Sequence, residues 1–228
     1  MSTFVLVPGA CHGAWWYDAL VDALSAAGQQ ARALTLAGLG PDGLAPGAIP
    51  TLTDHVEQVA RAVEQHSQDA DESVVLVGHS YAGSVITGAA DQVPDRVHAL
   101  VYLDAFVPRD GDSCWSMTND EQRAWYTDGA GRTGVAVDPL PFFDPRARPH
   151  PLATLVQRIT LSGAWQTVPT KTYALAQVWP PGTNSPFTPT ADRLATDPDW
   201  TVHRWPTRHN VLHDGPQRVL NLLMPHAA

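Results

Sequence analysis

VVLVGHSYAGSV, residues Val74–Val85, decides how this chain is read. Val74 to Val77 form an apolar run, β-branched except at Leu76, of the kind a buried strand requires. Gly78 and Gly83 bracket a short polar turn, after which helical spacing resumes from Tyr81 to Val93 and Pro94 closes it. A strand, a tight turn and a helix leave the Ser80 hydroxyl at the apex. Such a turn exposes Oγ at the carboxyl edge of a sheet and points a helix N-terminus toward developing negative charge. Glycine suits positions 78 and 83 because a side chain there would collide with the neighbouring strand or helix. A G-x-S-x-G match also arises by chance in a glycine-rich chain, so a purely structural serine is the competing reading.

The flanking sequence repeats the strand–helix alternation. Thr3–Val7, Ala31–Leu36, Ser73–Val77 and Val97–Leu103 read as strands, with helices over Trp15–Ala27, Asp54–His66 and Tyr81–Val93 between them. This order predicts right-handed crossovers, a mostly parallel α/β sheet and helices on both faces. From about Ala105 to Gln166 the pattern gives way to Pro-, Gly- and Trp-containing stretches, with short helices expected at Asp120–Tyr126 and Leu152–Thr160. Residues 105–166 thus read as a helical cap inserted into one domain covering residues 1–228. Alternation resumes with strands at Lys171–Ala176 and Thr201–Arg204, and helices near Thr190–Thr196 and Gly215–Leu223.

Composition narrows the class. The 228 residues can bury a full core, and 23 acidic against 14 basic residues, a net charge of −9, disfavour nucleic acid and anionic membranes as partners. No segment has the ~20 apolar residues of a membrane span, and the first ten residues lack the pattern of a secretory leader, so a cytoplasmic location is expected. Cys11 and Cys114 have no metal-site spacing and read as two reduced thiols. No metal or organic cofactor is expected.

A serine hydroxyl needs a base to act as a nucleophile. Of ten histidines, His209 lies between the last strand and the last helix, on the same sheet edge as Ser80. His213 follows in or beside that helix, and His79, inside the turn, should point away from the serine. The third group should be a carboxylate at a strand end that orients the imidazole. After Lys171–Ala176 no acid occurs until Asp192, inside a helix, whereas Asp104 ends the strand Val97–Leu103 at the correct edge. Asp197 and Asp199 enter the last strand from the wrong end, and the alternative reading of Asp104 is a cap or ion-pair residue. Backbone N–H groups of Ala10 and Tyr81 are the candidate oxyanion donors, with Gly9 permitting close approach of the first loop. His12, Phe106, Trp115 and Trp125 are candidate substrate contacts, the alternative being that the aromatic residues only pack the cap onto the sheet.

With these residues placed, the sequence resembles the α/β-hydrolase superfamily, and within it the small branch of plant methylesterases, hydroxynitrile lyases and their bacterial relatives. The resemblance rests on FVLVPGACHGAWWYDAL, GHSYAG and WPTRHN, spans nearly the whole chain, and is weakest in the cap. By position it implies Ser80 as nucleophile, His209 as base, and Ala10 and Tyr81 as oxyanion donors. Three departures stand out. Pro8-Gly9 replaces a common His-Gly, the usual acid after the penultimate strand is missing, and Asn210 and Gly9 stand where cyanohydrin-cleaving members carry lysine and threonine. The second turns attention to Asp104, a location some members use, and the third disfavours cyanohydrin cleavage. Ser80 at the elbow also disfavours epoxide and haloalkane chemistry, which uses an aspartate there.

The expected activity is cofactor-free hydrolysis of a small, largely apolar or aromatic ester or lactone through an acyl-enzyme. The sequence leaves two alternatives open. One is a lyase or cyclase in which Ser80 and His209 only move protons, and the other is a ligand-binding protein on a hydrolase fold.

Overall fold

The computed structural model describes residues 2–66, 73–180 and 182–227. Strand β1 (Ser2–Val7) leads through a 3-10 turn, Ala14–Tyr17, into helix α1 (Asp18–Ala26) and strand β2 (Gln30–Ala33). Helix α2 (Leu52–His66), strand β3 (Ser73–His79), helix α3 (Ala82–Gln92) and strand β4 (Val97–Leu103) complete the first half. The following segment holds α4 (Cys114–Met117), α5 (Asp120–Ala130), the two-residue strands β5 (Ala136–Val137) and β6 (His150–Pro151), and α6 (Leu152–Val156). Then come β7 (Thr170–Ala176), α7 (Thr188–Leu194), β8 (Trp200–Trp205), α8 (Val211–Asp214) and α9 (Pro216–Leu223). The main sheet runs β2-β1-β3-β4-β7-β8, and its described pairs are all parallel.

The inner strands β1, β3 and β4 are largely apolar on both faces because both faces are covered. Phe4, Leu6, Val75, Val77, Val101 and Leu103 pack with Leu20 and Leu24 of α1 and Val219, Leu222 and Leu223 of α9. Their neighbours Val5, Val7, Val74, Leu76, Leu100 and Tyr102 face α2, α3 and the segment after β4. Helix α3 approaches its surroundings closely through small residues. A Cβ on Gly88 would lie 2.6 Å from Val56 Cγ2 of α2, and one on Gly83 would lie 2.0 Å from the Phe106 carbonyl oxygen. Lys171, the only lysine, is buried and donates to the carbonyls of Gln166 and Val168, each at 2.9 Å.

Several element ends differ from the sequence expectation. The second strand stops at Ala33 instead of Leu36, since Leu36 and Leu39 turn beneath α2 while Gln58 bonds both the Thr35 carbonyl and the Ala37 N–H. The helix expected over Leu152–Thr160 ends at Val156, because Ile159 exchanges backbone bonds with Gly111 and Asp112. The final helix begins at Pro216, after the separate turn α8. The pair β5–β6 was too short to show in any periodicity. Cys11 and Cys114 are both buried and free, and no described helix is long and apolar enough to cross a membrane.

The Gly83 contact is with main chain, which cannot swing aside. Gly83→Ala should therefore destabilise the protein by ~1–3 kcal/mol or more, read as a lower urea midpoint at unchanged slope. An unchanged midpoint would show that the turn has more room than these distances give it.

Candidate active site

The turn between β3 and α3 places Ser80 at φ +54°, a left-handed conformation unusual for a residue with a side chain. The surroundings hold it there. Its N–H donates to the Leu103 carbonyl at 3.3 Å, and its own carbonyl accepts from the N–H groups of Gly83 and Phe106, each at 3.1 Å. A Cβ on Gly78 would sit 3.0 Å from both the Ala82 carbonyl oxygen and Ile86 Cδ1, so the glycines at 78 and 83 make the turn sterically possible.

Asp104 follows β4 with a second strained backbone, φ +44°. Its N–H donates to the Ala174 carbonyl at 2.7 Å, which turns the side chain toward the loop after β8. The carboxylate is fully buried. Oδ1 accepts the Ala176 N–H at 3.0 Å and Oδ2 accepts His209 Nδ1–H at 2.6 Å. Burial raises the carboxyl pKa above its ordinary value, opposed by the bonds from His209 and Ala176, which favour the ionised form. The opposite imidazole nitrogen, Nε2, lies 3.0 Å from Ser80 Oγ. The structure thus brings Ser80, His209 and Asp104 into one hydrogen-bonded chain.

The residues flanking His209 fix its loop. Asp214 receives the Arg208 backbone N–H at 2.9 Å and both arms of its guanidinium, while Asn210 Oδ1 caps α8 by accepting the His213 N–H. His213 is exposed and its Nδ1 pairs with Asp214. His79 makes no hydrogen bond to Ser80; its Nε2–H donates to the His209 carbonyl at 2.9 Å and its ring stacks on Trp16. Phe187 lies nearly parallel to the His209 imidazole, at 5.2 Å between ring centres and 8° between planes. Sequence reasoning missed Phe187, which reaches the site from just before α7; a lone aromatic in a loop gives no local signal.

Beside Ser80, Gly9 brings the first loop against the turn; a Cβ there would lie 3.0 Å from Ser80 Cβ. Among the described residues no group takes the N–H of Ala10 or Tyr81, and both residues line the cavity over Ser80. His12 Nδ1–H donates to the Ala10 carbonyl at 2.7 Å, and burial lowers the pKa of this imidazole. The cavity measures about 1250 Å³, and Trp16, His12, Trp125, Phe143, Phe106 and Trp179 supply much of its wall. Trp115 lies outside that wall, where it packs toward Tyr126 and its carbonyl accepts Arg123 Nε–H. Of the four candidate substrate contacts, His12, Phe106 and Trp125 therefore meet the cavity and Trp115 does not. No group of three or more described His, Cys, Asp or Glu residues is arranged to hold a metal ion.

Comparison with known proteins gives the family. A model described as the alpha/beta hydrolase family matches residues 4–222. A carbendazim hydrolyzing esterase from Nocardioides sp. (strain SG-4G) is 34% identical over 98% of this chain and 98% of its own length. Salicylic acid-binding protein 2 of Nicotiana tabacum is 42% identical, over 46% of this chain and 40% of that protein. Methylesterase 2 of Arabidopsis thaliana is 40% identical over the same fractions. Among solved structures, an extracellular alpha/beta-hydrolase from a Paenibacillus species superposes with a TM-score of 0.80 over 100% of this chain and 99% of that one, at 23% identity, a likeness of fold. With a family model spanning nearly the whole sequence and a relative matched end to end, the chain belongs to the alpha/beta hydrolase family, among its esterases.

Proposed function

We propose that this hydrolase cleaves a small, largely apolar or aromatic carboxylic ester or lactone through an acyl-enzyme on Ser80. The observation that carries the reading is the chain Asp104 Oδ2–His209 Nδ1, 2.6 Å, and His209 Nε2–Ser80 Oγ, 3.0 Å, opening onto an aromatic-walled cavity. His209 takes the Ser80 proton as Oγ attacks the ester carbonyl, and Asp104 stabilises the imidazolium that forms. The N–H groups of Ala10 and Tyr81 stabilise the oxyanion. His209 then returns the proton to the leaving alcohol and activates the water that releases the acid. Hydroxyl, imidazole and water carry each proton transfer while the carboxylate orients the imidazole, so the reaction calls for no cofactor.

The substrate class follows from the wall. Aromatic side chains around His12 suit a flat or apolar group, and residues 105–166, read as a cap on a single catalytic domain, contribute Trp125, Phe142 and Phe143. The relatives named as esterases and methylesterases support small esters.

Ser80→Ala should lower kcat/KM toward p-nitrophenyl butyrate by at least ~10⁴-fold without altering the unfolding midpoint; retained turnover would end this reading. Asp104→Asn keeps the shape but favours the wrong imidazole tautomer, and should lower kcat by ~10³–10⁴-fold. Near wild-type kcat in that variant would remove Asp104 from the mechanism. Trp125→Ala should raise KM for an aromatic ester about tenfold with kcat within about threefold, as loss of uniform binding does. An unchanged KM would assign Trp125 to packing alone.

A further inference from the structure

Behind the loop that carries Ala10 lies a buried histidine that the proposed mechanism does not use. His150, on β6, is fully buried, and its Nδ1 accepts the Cys11 backbone N–H at 3.2 Å. Two residues earlier, the Arg148 N–H donates to the Cys11 carbonyl at 2.9 Å, so both main-chain groups of Cys11 are held by one short stretch. Cys11 needs that hold. Its φ is +69°, a conformation that a residue with a side chain keeps only when its surroundings enforce it.

The rest of the His150 ring is bonded so as to keep Nδ1 an acceptor. Nε2 lies 2.9 Å from Thr154 Oγ1, and that hydroxyl donates to the Pro151 carbonyl at 2.8 Å, leaving its lone pairs for an Nε2–H. Assigned from this network, the imidazole is neutral with its proton on Nε2. Burial, with His55 and His12 nearby, lowers its pKa well below the ordinary value. The ring also meets Tyr81 edge to face at 4.6 Å, and the Tyr81 hydroxyl in turn donates to His55 Nδ1 at 2.8 Å. His55 completes the pattern by donating Nε2–H to the Ala37 carbonyl at 2.9 Å. The neutral histidines thus hold Cys11, the residue after Ala10, and pack against Tyr81, the residues next to and bearing the two candidate oxyanion donors.

We propose that His150 is a positioning residue for the oxyanion site. Its unprotonated Nδ1 fixes the left-handed Cys11 and so aims the preceding Ala10 N–H at the oxygen on which charge develops. This rests on the proposed esterase reading. It goes further in tying the first loop to residues 148–154 of the inserted segment, so that segment would shape transition-state binding as well as the cavity wall.

The test compares His150→Leu, which fills the space without an acceptor, with His150→Asn, whose Oδ1 can take the place of Nδ1. Hydrolysis of p-nitrophenyl acetate by the wild type, abolished by Ser80→Ala, checks the esterase reading separately. Removal of a whole oxyanion donor costs ~10²–10³-fold in kcat, so misdirecting one should cost His150→Leu ~10–100-fold with KM within about threefold. Affinity for an aryl trifluoromethyl ketone, whose Ser80 adduct carries the oxyanion, should fall by a similar factor, and His150→Asn should recover most of both. A folded His150→Leu protein within about threefold of wild type in kcat would overturn the proposal. Equal losses in the Leu and Asn variants would overturn it too, since they would mark a packing role only. If His150→Leu does not fold, His150→Gln, which sets its amide nearer the Nε2 position, takes its place and must show the same selective loss.

Discussion

The hydrogen bond between Asp104 and His209 is the constraint around which the site is arranged. It joins the end of β4 to the loop after β8 at 2.6 Å, across the intervening strand β7, whose Ala176 N–H holds the other carboxylate oxygen. A fully buried carboxylate is costly unless its oxygens are bonded, and these two bonds, one from a strand N–H and one from an imidazole, meet that requirement. They also fix the ring so that Nε2 faces Ser80. If either end shifted by about 1 Å, the alignment of Asp104, His209 and Ser80 would be lost.

Backbone strain is concentrated at the same place. The non-glycine residues with positive φ among those described are Cys11, Ser80 and Asp104, one on each of three of the four loops that build the site, the fourth being the loop of His209. Each is held by bonds from other elements: Ser80 by Leu103, Gly83 and Phe106, Asp104 by Ala174, and Cys11 by Arg148 and His150. Regular sheet and helix behind them supply the rigidity, with α3 almost wholly buried against strands and α2. Strain of this kind persists where surrounding structure determines it, and it presents polar groups at a surface that unstrained strands would cover.

Much of this was legible in the sequence. The strand–turn–helix around Ser80 is local, and the positions of His209 and Asp104 follow from strand order, because a parallel sheet returns every strand end to one edge. His209 was separable from His213 by its place before the helix, and the structure gives His213 to Asp214. What the sequence hid depends on long-range contact. Phe187 lies against His209 across loops, β5–β6 is two residues deep, and Leu36 is apolar because it packs under α2, although its backbone has left the strand. Trp115 shows the same limit from the other side. Its composition and segment match those of Trp125, yet only Trp125 meets the cavity.

The most direct test of the account is intact-mass analysis after brief exposure to a serine-directed fluorophosphonate, with peptide mapping of the product. The account predicts one adduct per chain, located on Ser80, forming far more slowly in His209→Ala. Well-folded protein that gains no adduct, or gains it at another residue, would contradict the claim that the Asp104–His209–Ser80 chain activates a nucleophile.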